Sequence, residues 1–339
     1  MRTLELIRSL KKYALLAVVL SCVPQLRAQW TAVVGAQSPD QARQALAFLP
    51  NEMWIHAGDN ITLTVVTNEP HTVTFLTANQ IRNPFSVGCP GYSSSPATVD
   101  GSTCVSSPPL AGGQTFTVVF PVTRNFKIAC LFHENMSAAV HVLDLSQPLP
   151  HDQAFYDNQA NADRIAMLTD MHDDLHHVPV STGNKVSAGL GEVIATGGGT
   201  RTLSIMRFMQ HKVKIRAGDT VEWTIGDSIT PHTITFGTEP EDVVDPSANV
   251  TVDSDGARHA IINSISDNVH SGFIQTAPQD RIGLAQAPLG ATRFKVTFTK
   301  SGIYHYKCAL HDGLGMKGTV VVQCAGLQDT EGSHCSADY

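Results

Sequence analysis

The sequence is short of charge, of basic residues in particular, and of long apolar runs. Charged residues make up 16% of the 339 positions and aromatics 6%, against 42% hydrophobic residues. That balance excludes a disordered chain, which carries more charge and too little apolar side chain to form a core. Residues 1–28 hold five Lys/Arg and one Glu; without them 18 basic and 29 acidic residues remain, a formal charge of −11. So few cations argue against nucleic acid, which is bound through Lys and Arg patches. The acidic balance favours solubility and permits steering toward a basic partner. The run YALLAVVLS at 13–21 is too short to span a bilayer. It follows the basic MRTLELIRSLKK and precedes QLRA, which reads as an export signal cleaved after Ala28. The expected location is periplasmic or secreted. Val-Leu-Ser-Cys at 19–22 leaves lipid anchoring on Cys22, and with it membrane attachment, as an alternative. No His-x-His pair occurs.

What is there is a duplication. AFLPNEMWIHAGDNITLTVVTNEPHTVTF at 47–75 has its echo in HKVKIRAGDTVEWTIGDSITPHTITF at 211–236, with Ala-Gly-Asp as the shared turn. QTFTVVFPVTRNFKIAC and TRFKVTFTKSGIYHYKC are likewise similar, each predicting two strands joined by a turn. Regularly spaced short strands with little helix predict an all-β fold of two Greek-key β-sandwich domains, at 29–148 and 186–324. Residues 149–185 are expected to form a helical linker, and 325–339 a C-terminal tail. Residues 153–176 lack Gly and Pro; Phe155, Ile165, Leu168 and Met171 fall near one face, predicting an amphipathic helix packed across the domains. Irregular excursions at 83–113 and 237–290 each lie between the strand carrying the first histidine and the strand carrying the cysteine.

Each half carries the same four metal-binding side chains. The first has His71, then Cys130, His133 and Met136; the second has His232, then Cys308, His311 and Met316. Each His is the second residue of a Pro-His-Thr-(Val/Ile)-Thr-Phe segment, 59 residues before the cysteine in the first half and 76 in the second. One thiolate, two imidazoles and a thioether suit copper in both oxidation states, with a Cys/His/His plane and a long axial bond to Met. The expectation is two type 1 copper ions per chain. Seven cysteines, less Cys22 and the two ligands, leave Cys89, Cys104, Cys324 and Cys335, an even remainder that in an exported protein suggests disulfides: Cys89 with Cys104 and Cys324 with Cys335.

The arrangement resembles the cupredoxins, a family that includes plastocyanin and amicyanin, over about residues 30–145 and 186–324. The loop Cys308-x2-His-x4-Met is similar to that of plastocyanin, and Cys130-x2-His-x2-Met to the shorter amicyanin loop. The resemblance implies a blue-copper carrier that shuttles single electrons between redox partners such as a cytochrome or an oxidoreductase. It also implies that His133 and His311 lie nearest the surface as electron ports, rimmed by Phe132, Leu310 and Leu314. Copper storage or delivery is the alternative. Two-domain copper nitrite reductases and small laccases share the duplicated architecture, but there a His precedes the ligand cysteine; here Ala129 and Lys307 stand in that place. The chain is therefore expected to be an electron carrier and not an enzyme. His172 and His176 on the linker helix are four apart but have no evident third ligand, and His141 is expected to pack rather than to ligate.

Overall fold

The computed structural model describes residues 27–80, 89–177, 183–227, 229–276 and 291–324. Residues 1–26 of the expected leader 1–28, and the tail from 325, lie outside these. Alternation of apolar and polar residues makes the strands: in Asn60–Val65, Ile61, Leu63 and Val65 are buried while Thr62 and Thr64 are half-exposed.

The first half contains β1 (Gln29–Gln37), β2 (Arg43–Leu49), β3 (Glu52–His56), β4 (Asn60–Val65), β5 (Thr74–Phe75), β6 (Ala97–Thr98), β7 (Val105–Ser106), β8 (Thr115–Val119), β9 (Arg124–Ala129) and β10 (Ser137–Leu143). After the helix α1 (Gln153–His177) come β11 (Lys185–Thr196), β12 (Gly199–Met209), β13 (Lys212–Arg216), β14 (Thr220–Ile225) and β15 (Thr235–Phe236). The remainder is β16 (Thr251–Val252), β17 (Arg258–Ile262), β18 (Val269–His270), β19 (Arg293–Phe298), β20 (Gly302–Lys307) and β21 (Lys317–Gln323). The wiring repeats. β1 lies antiparallel to β2 and parallel to β4, as β11 does to β12 and β14. β3 runs parallel to β10, as β13 does to β21.

The halves share a sheet. β2 and β12 pair antiparallel, Ala45 opposite Leu203 and Gln44 opposite Ser204, which joins strands of both halves into one 11-stranded sheet. A separate 5-stranded sheet closes over each half. One core contains Phe48, Phe116 and Phe120, the other Trp223, Phe294 and Phe298. β2 is buried on both faces, which accounts for its nearly unbroken apolar run Ala-Leu-Ala-Phe-Leu at 45–49. Its second face, with Leu203 and Ile205 of β12, packs under Met167 and Met171 of α1.

The helix thus packs across both halves, on a face that includes the expected Leu168 and Met171 but not Phe155 and Ile165. Phe155 and Ile165 are exposed; Tyr156, Met167 and Met171 are buried, with Leu168 partly so. Tyr156 is drawn inward because its hydroxyl accepts a bond from Trp54 N–H at 2.8 Å while its ring meets Trp30 edge-on. A buried Tyr needs such a partner, whereas Phe155 stacks outside on His151.

Cys89 and Cys104 form a disulfide that closes part of the first excursion. Cys324 is also disulfide-bonded; Cys335 is outside the described residues. Arg207 ties the halves, donating to Leu314 C=O at 2.7 Å and to Asp40 C=O at 2.7 Å. Among the described residues no helix is long and apolar enough to cross a membrane.

Candidate metal centres

Two triads of donor atoms are assembled where β9 and β20 end. His71, Cys130 and His133 converge in one half, His232, Cys308 and His311 in the other, with each triad's donors within 4.8 Å of one another. Both cysteines are free, and all six side chains are buried. The two Nδ1 atoms of each triad lie 3.1 Å apart. Cys130 Sγ is 3.5 Å from His133 Nδ1, and Cys308 Sγ is 3.3 Å from His311 Nδ1. Met136 and Met316 are fully buried at the ends of the same loops, where their carbonyls accept the Cys130 and Cys308 N–H at 3.0 and 3.1 Å. These backbone bonds close each loop so that the cysteine and methionine meet as neighbours.

The imidazoles are oriented by oxygen atoms on their outer edges. His71 Nε2 lies 3.1 Å from Thr67 Oγ1, which donates onward to Glu69 C=O; the hydroxyl must therefore accept from Nε2–H. His133 Nε2 lies 3.1 Å from Glu69 Oε1, an acceptor. Both rings are thereby held with Nε2 protonated and Nδ1 facing the triad, the tautomer a metal requires. In the second half, His232 Nε2 sits 3.7 Å from Asp227 Oδ2, a buried carboxylate fixed by Ser204 Oγ and the N–H groups of Ile229 and Thr230.

The electrostatics call for a cation. Burial alone would raise the Cys130 thiol, but the charge of His133 and hydrogen bonds from His133 and His71 hold it well below its ordinary value. Cys308 is lowered likewise against burial by His311 and His232. Against its own burial, His133 is raised to about 10 by the Cys130 sulfur and Glu69. A buried thiolate balanced by an imidazolium is a site in which a metal ion can take the place of the proton. A soft sulfur with two inward imidazoles fits copper, so the residues present suit the group.

Sequence reasoning missed several supports. Thr72 and Thr233, the threonines of the two Pro-His-Thr segments, donate backbone N–H to the cysteine sulfurs at 3.5 and 3.4 Å. Their hydroxyls accept from Leu131 N–H at 2.8 Å and Ala309 N–H at 2.7 Å, pinning each loop to the strand that brings the distant histidine. Their recurrence beside both histidines was the available signal. Gly35 and Gly189, at the bulges of β1 and β11, have φ of +74° and +69° and press against the outer edges of His71 and His232. Glu69, Thr67 and Asp227 carry no motif.

The ports implied by resemblance are not on an open surface. His133 and His311 are 2% and 3% exposed and face each other across a crevice of about 210 Å³ lined by Pro70, Phe132, Pro231 and Leu310. The pairing of β2 with β12 turns the two metal loops toward one another, so the apolar rim covers an internal contact. Leu314 is buried and tied through its carbonyl to Arg207. His141 stacks on Trp54 and bonds Glu52 and Asn125, a packing role. His172 is exposed on α1.

Two β-sandwiches, each holding a buried His–Cys–His triad, define a copper-binding protein built of cupredoxin-like domains. Comparison with known proteins agrees. Residues 197–323 match the family of copper binding proteins described as plastocyanin/azurin. Over 116 residues the chain is 30% identical to plastocyanin of Scenedesmus fuscus, spanning 34% of this chain and 86% of that one. It is 29% identical to plastocyanin of Nostoc punctiforme over 35% of this chain and 66% of that protein, slightly under two thirds of its length. A mutant plastocyanin of fern, 21% identical, overlays on 41% of this chain and 99% of its own at a TM-score of 0.22, too low to add to the argument. The chain belongs to the plastocyanin/azurin family of copper-binding proteins.

One expectation is overturned. Residues 40–143 match the multicopper oxidase family, so setting enzymes aside was unjustified. The missing His-x-His pairs and the Ala129 and Lys307 positions bear only on a copper bound by histidines alone. They say nothing of what electrons held at the two triads reduce or oxidise.

Proposed function

We propose that the chain is an exported electron-transfer protein holding two type 1 copper ions. His71, Cys130, His133 and Met136 hold one, and His232, Cys308, His311 and Met316 the other. The observation that carries this reading is the duplicated buried triad with every ring's Nδ1 inward and both cysteines free. Copper at such a set supplies one-electron chemistry with little change of geometry between its oxidation states. The protein's part is to hold that geometry. Thr67 and Glu69 fix the rings of the first half, and Asp227 lies against the outer edge of His232 in the second. The Thr72 and Thr233 N–H groups stabilise the negative sulfur, and the packed loops keep water out. The acidic surface suits a basic redox partner, for example a cytochrome.

The multicopper oxidase match favours a second reading, in which the electrons come from a small reductant and end on oxygen. Anaerobic titration with a reductant, followed by mixing with an oxidised basic c-type cytochrome, separates the two. Electron transfer predicts uptake of two electrons per chain and rapid delivery that slows as salt is added. Slow delivery together with sustained oxygen consumption on a phenolic reductant would establish the oxidase instead.

A further inference from the structure

The two triads are joined by one side chain. Glu69 Oε1 lies 3.1 Å from His133 Nε2 and 3.8 Å from His311 Nε2, so the two ring nitrogens are separated by no more than the sum of those lengths. The carboxylate is 7% exposed, at the head of the crevice lined by Pro70, Pro231, Phe132 and Leu310. It comes from the first half alone. Thr230 occupies the corresponding place before the second Pro-His, so the bridge is not a by-product of the duplication. A buried carboxylate is costly unless paired, and here its neighbours are the outer nitrogens of two rings whose inner nitrogens belong to different triads.

We propose that Glu69 is a positioning residue that wires the two centres together, holding His133 and His311 edge to edge so that an electron passes between the halves of one chain. This rests on both triads holding copper. In the exchange, one centre is oxidised by one electron and the other reduced by one; no bond breaks, and the Nε2 protons stay on their rings. An external partner then needs to reach only one half, because the other is filled from within. The crevice, of about 210 Å³, is too small to admit a protein-sized partner and is lined by apolar side chains, and such a setting strengthens a hydrogen-bonded link relative to water.

The test compares the wild type with Glu69→Ala and with the isosteric, uncharged Glu69→Gln, which preserves packing if the alanine variant folds poorly. Copper content is measured on every sample. A substoichiometric electron is injected by flash photolysis into the fully oxidised protein, and its redistribution between the centres is followed by visible absorption. The expected result is exchange slower by about tenfold in Glu69→Ala and by less in Glu69→Gln, with every sample brought to full loading by added copper. In the metal-free proteins, the ring-nitrogen NMR signals of both His133 and His311 are expected to move in either variant. Exchange as fast as in the wild type at full copper loading overturns the proposal, as does a shift confined to His133. A wild type that holds fewer than two coppers overturns the two-centre reading itself, whereas the metal-free NMR result reports on the Glu69 bridge separately.

Discussion

Cys130→Ser is expected to abolish the thiolate-to-copper absorption of the first half and leave that of the second, so the visible band falls to about half with the remaining centre unchanged. Cys308→Ser is expected to do the converse, and the double variant to be colourless. The sulfur is the one soft anionic donor in each triad and the source of the charge-transfer band; a serine hydroxyl stays protonated and binds copper weakly. The fold should survive. The bonds that close the loop run through backbone groups, Cys130 N–H to Met136 C=O and Leu131 N–H to Thr72 Oγ1, and neither uses the sulfur. The metal-free variant is therefore expected to keep its fold at a cost of about 1–3 kcal/mol, the penalty of a hydroxyl buried in place of the sulfur. Copper content and the visible spectrum of each variant check the result. Complete loss of colour from one substitution would mean that the halves do not bind independently.

The second large effect is expected from a methyl group. Gly189 has φ +69°, and a Cβ there would fall on His232 Nε2; at Gly35, φ +74°, it would come within 2.9 Å of His71 Nε2 and 2.7 Å of Thr67 Cγ2. Gly189→Ala therefore suffers left-handed backbone strain of about 1–2 kcal/mol and overpacking of about 1–3 kcal/mol. The ring can relieve the clash only by moving inward onto the donor atoms. The expected outcome is a lower melting temperature together with loss of copper from the second half only, and for Gly35→Ala from the first. Gly113→Ala separates the causes: its φ is +86°, yet nothing lies within 4 Å of its Cβ position. It should show the backbone strain alone and keep both coppers. Calorimetry and copper analysis on the three variants decide the matter; full copper retention in Gly189→Ala would show that the bulge does not position the histidine.

Much of this molecule was legible because its chemistry is local. The Cys-x2-His-x2-Met and Cys-x2-His-x4-Met loops, the Pro-His-Thr segments and the repeated Ala-Gly-Asp turn are each contained within a few residues, and duplication made each pattern count twice. The all-β sandwiches followed from alternation that the strands obey. What was hidden depends on residues far apart in sequence. The pairing of Ala45 with Leu203 that fuses the halves involves two strands whose apolar runs would serve equally well inside separate sandwiches. That single pairing turns His133 and His311 inward, so it also explains why the expected surface ports are buried. Glu69 looked like any acid before a proline; its role exists only once the second half is folded against it. The helix face was read correctly at Leu168 and Met171 and misjudged at Phe155 and Ile165, because hydrophobicity alone says nothing of Tyr156, whose hydroxyl finds Trp54. The dismissal of enzymes failed for another reason: it took the absence of one kind of copper site as a statement about activity.

The central claim, two thiolate-bound coppers on one chain, is tested most directly by metal analysis combined with visible absorption and EPR on the purified mature protein. Two coppers per chain are expected, with an intense visible charge-transfer band and narrow hyperfine splitting that together account for all the copper. Full copper loading without that band would contradict the claim and point to storage or delivery. A single blue copper per chain would reduce one triad to scaffold, and the link through Glu69 would then have nothing to join.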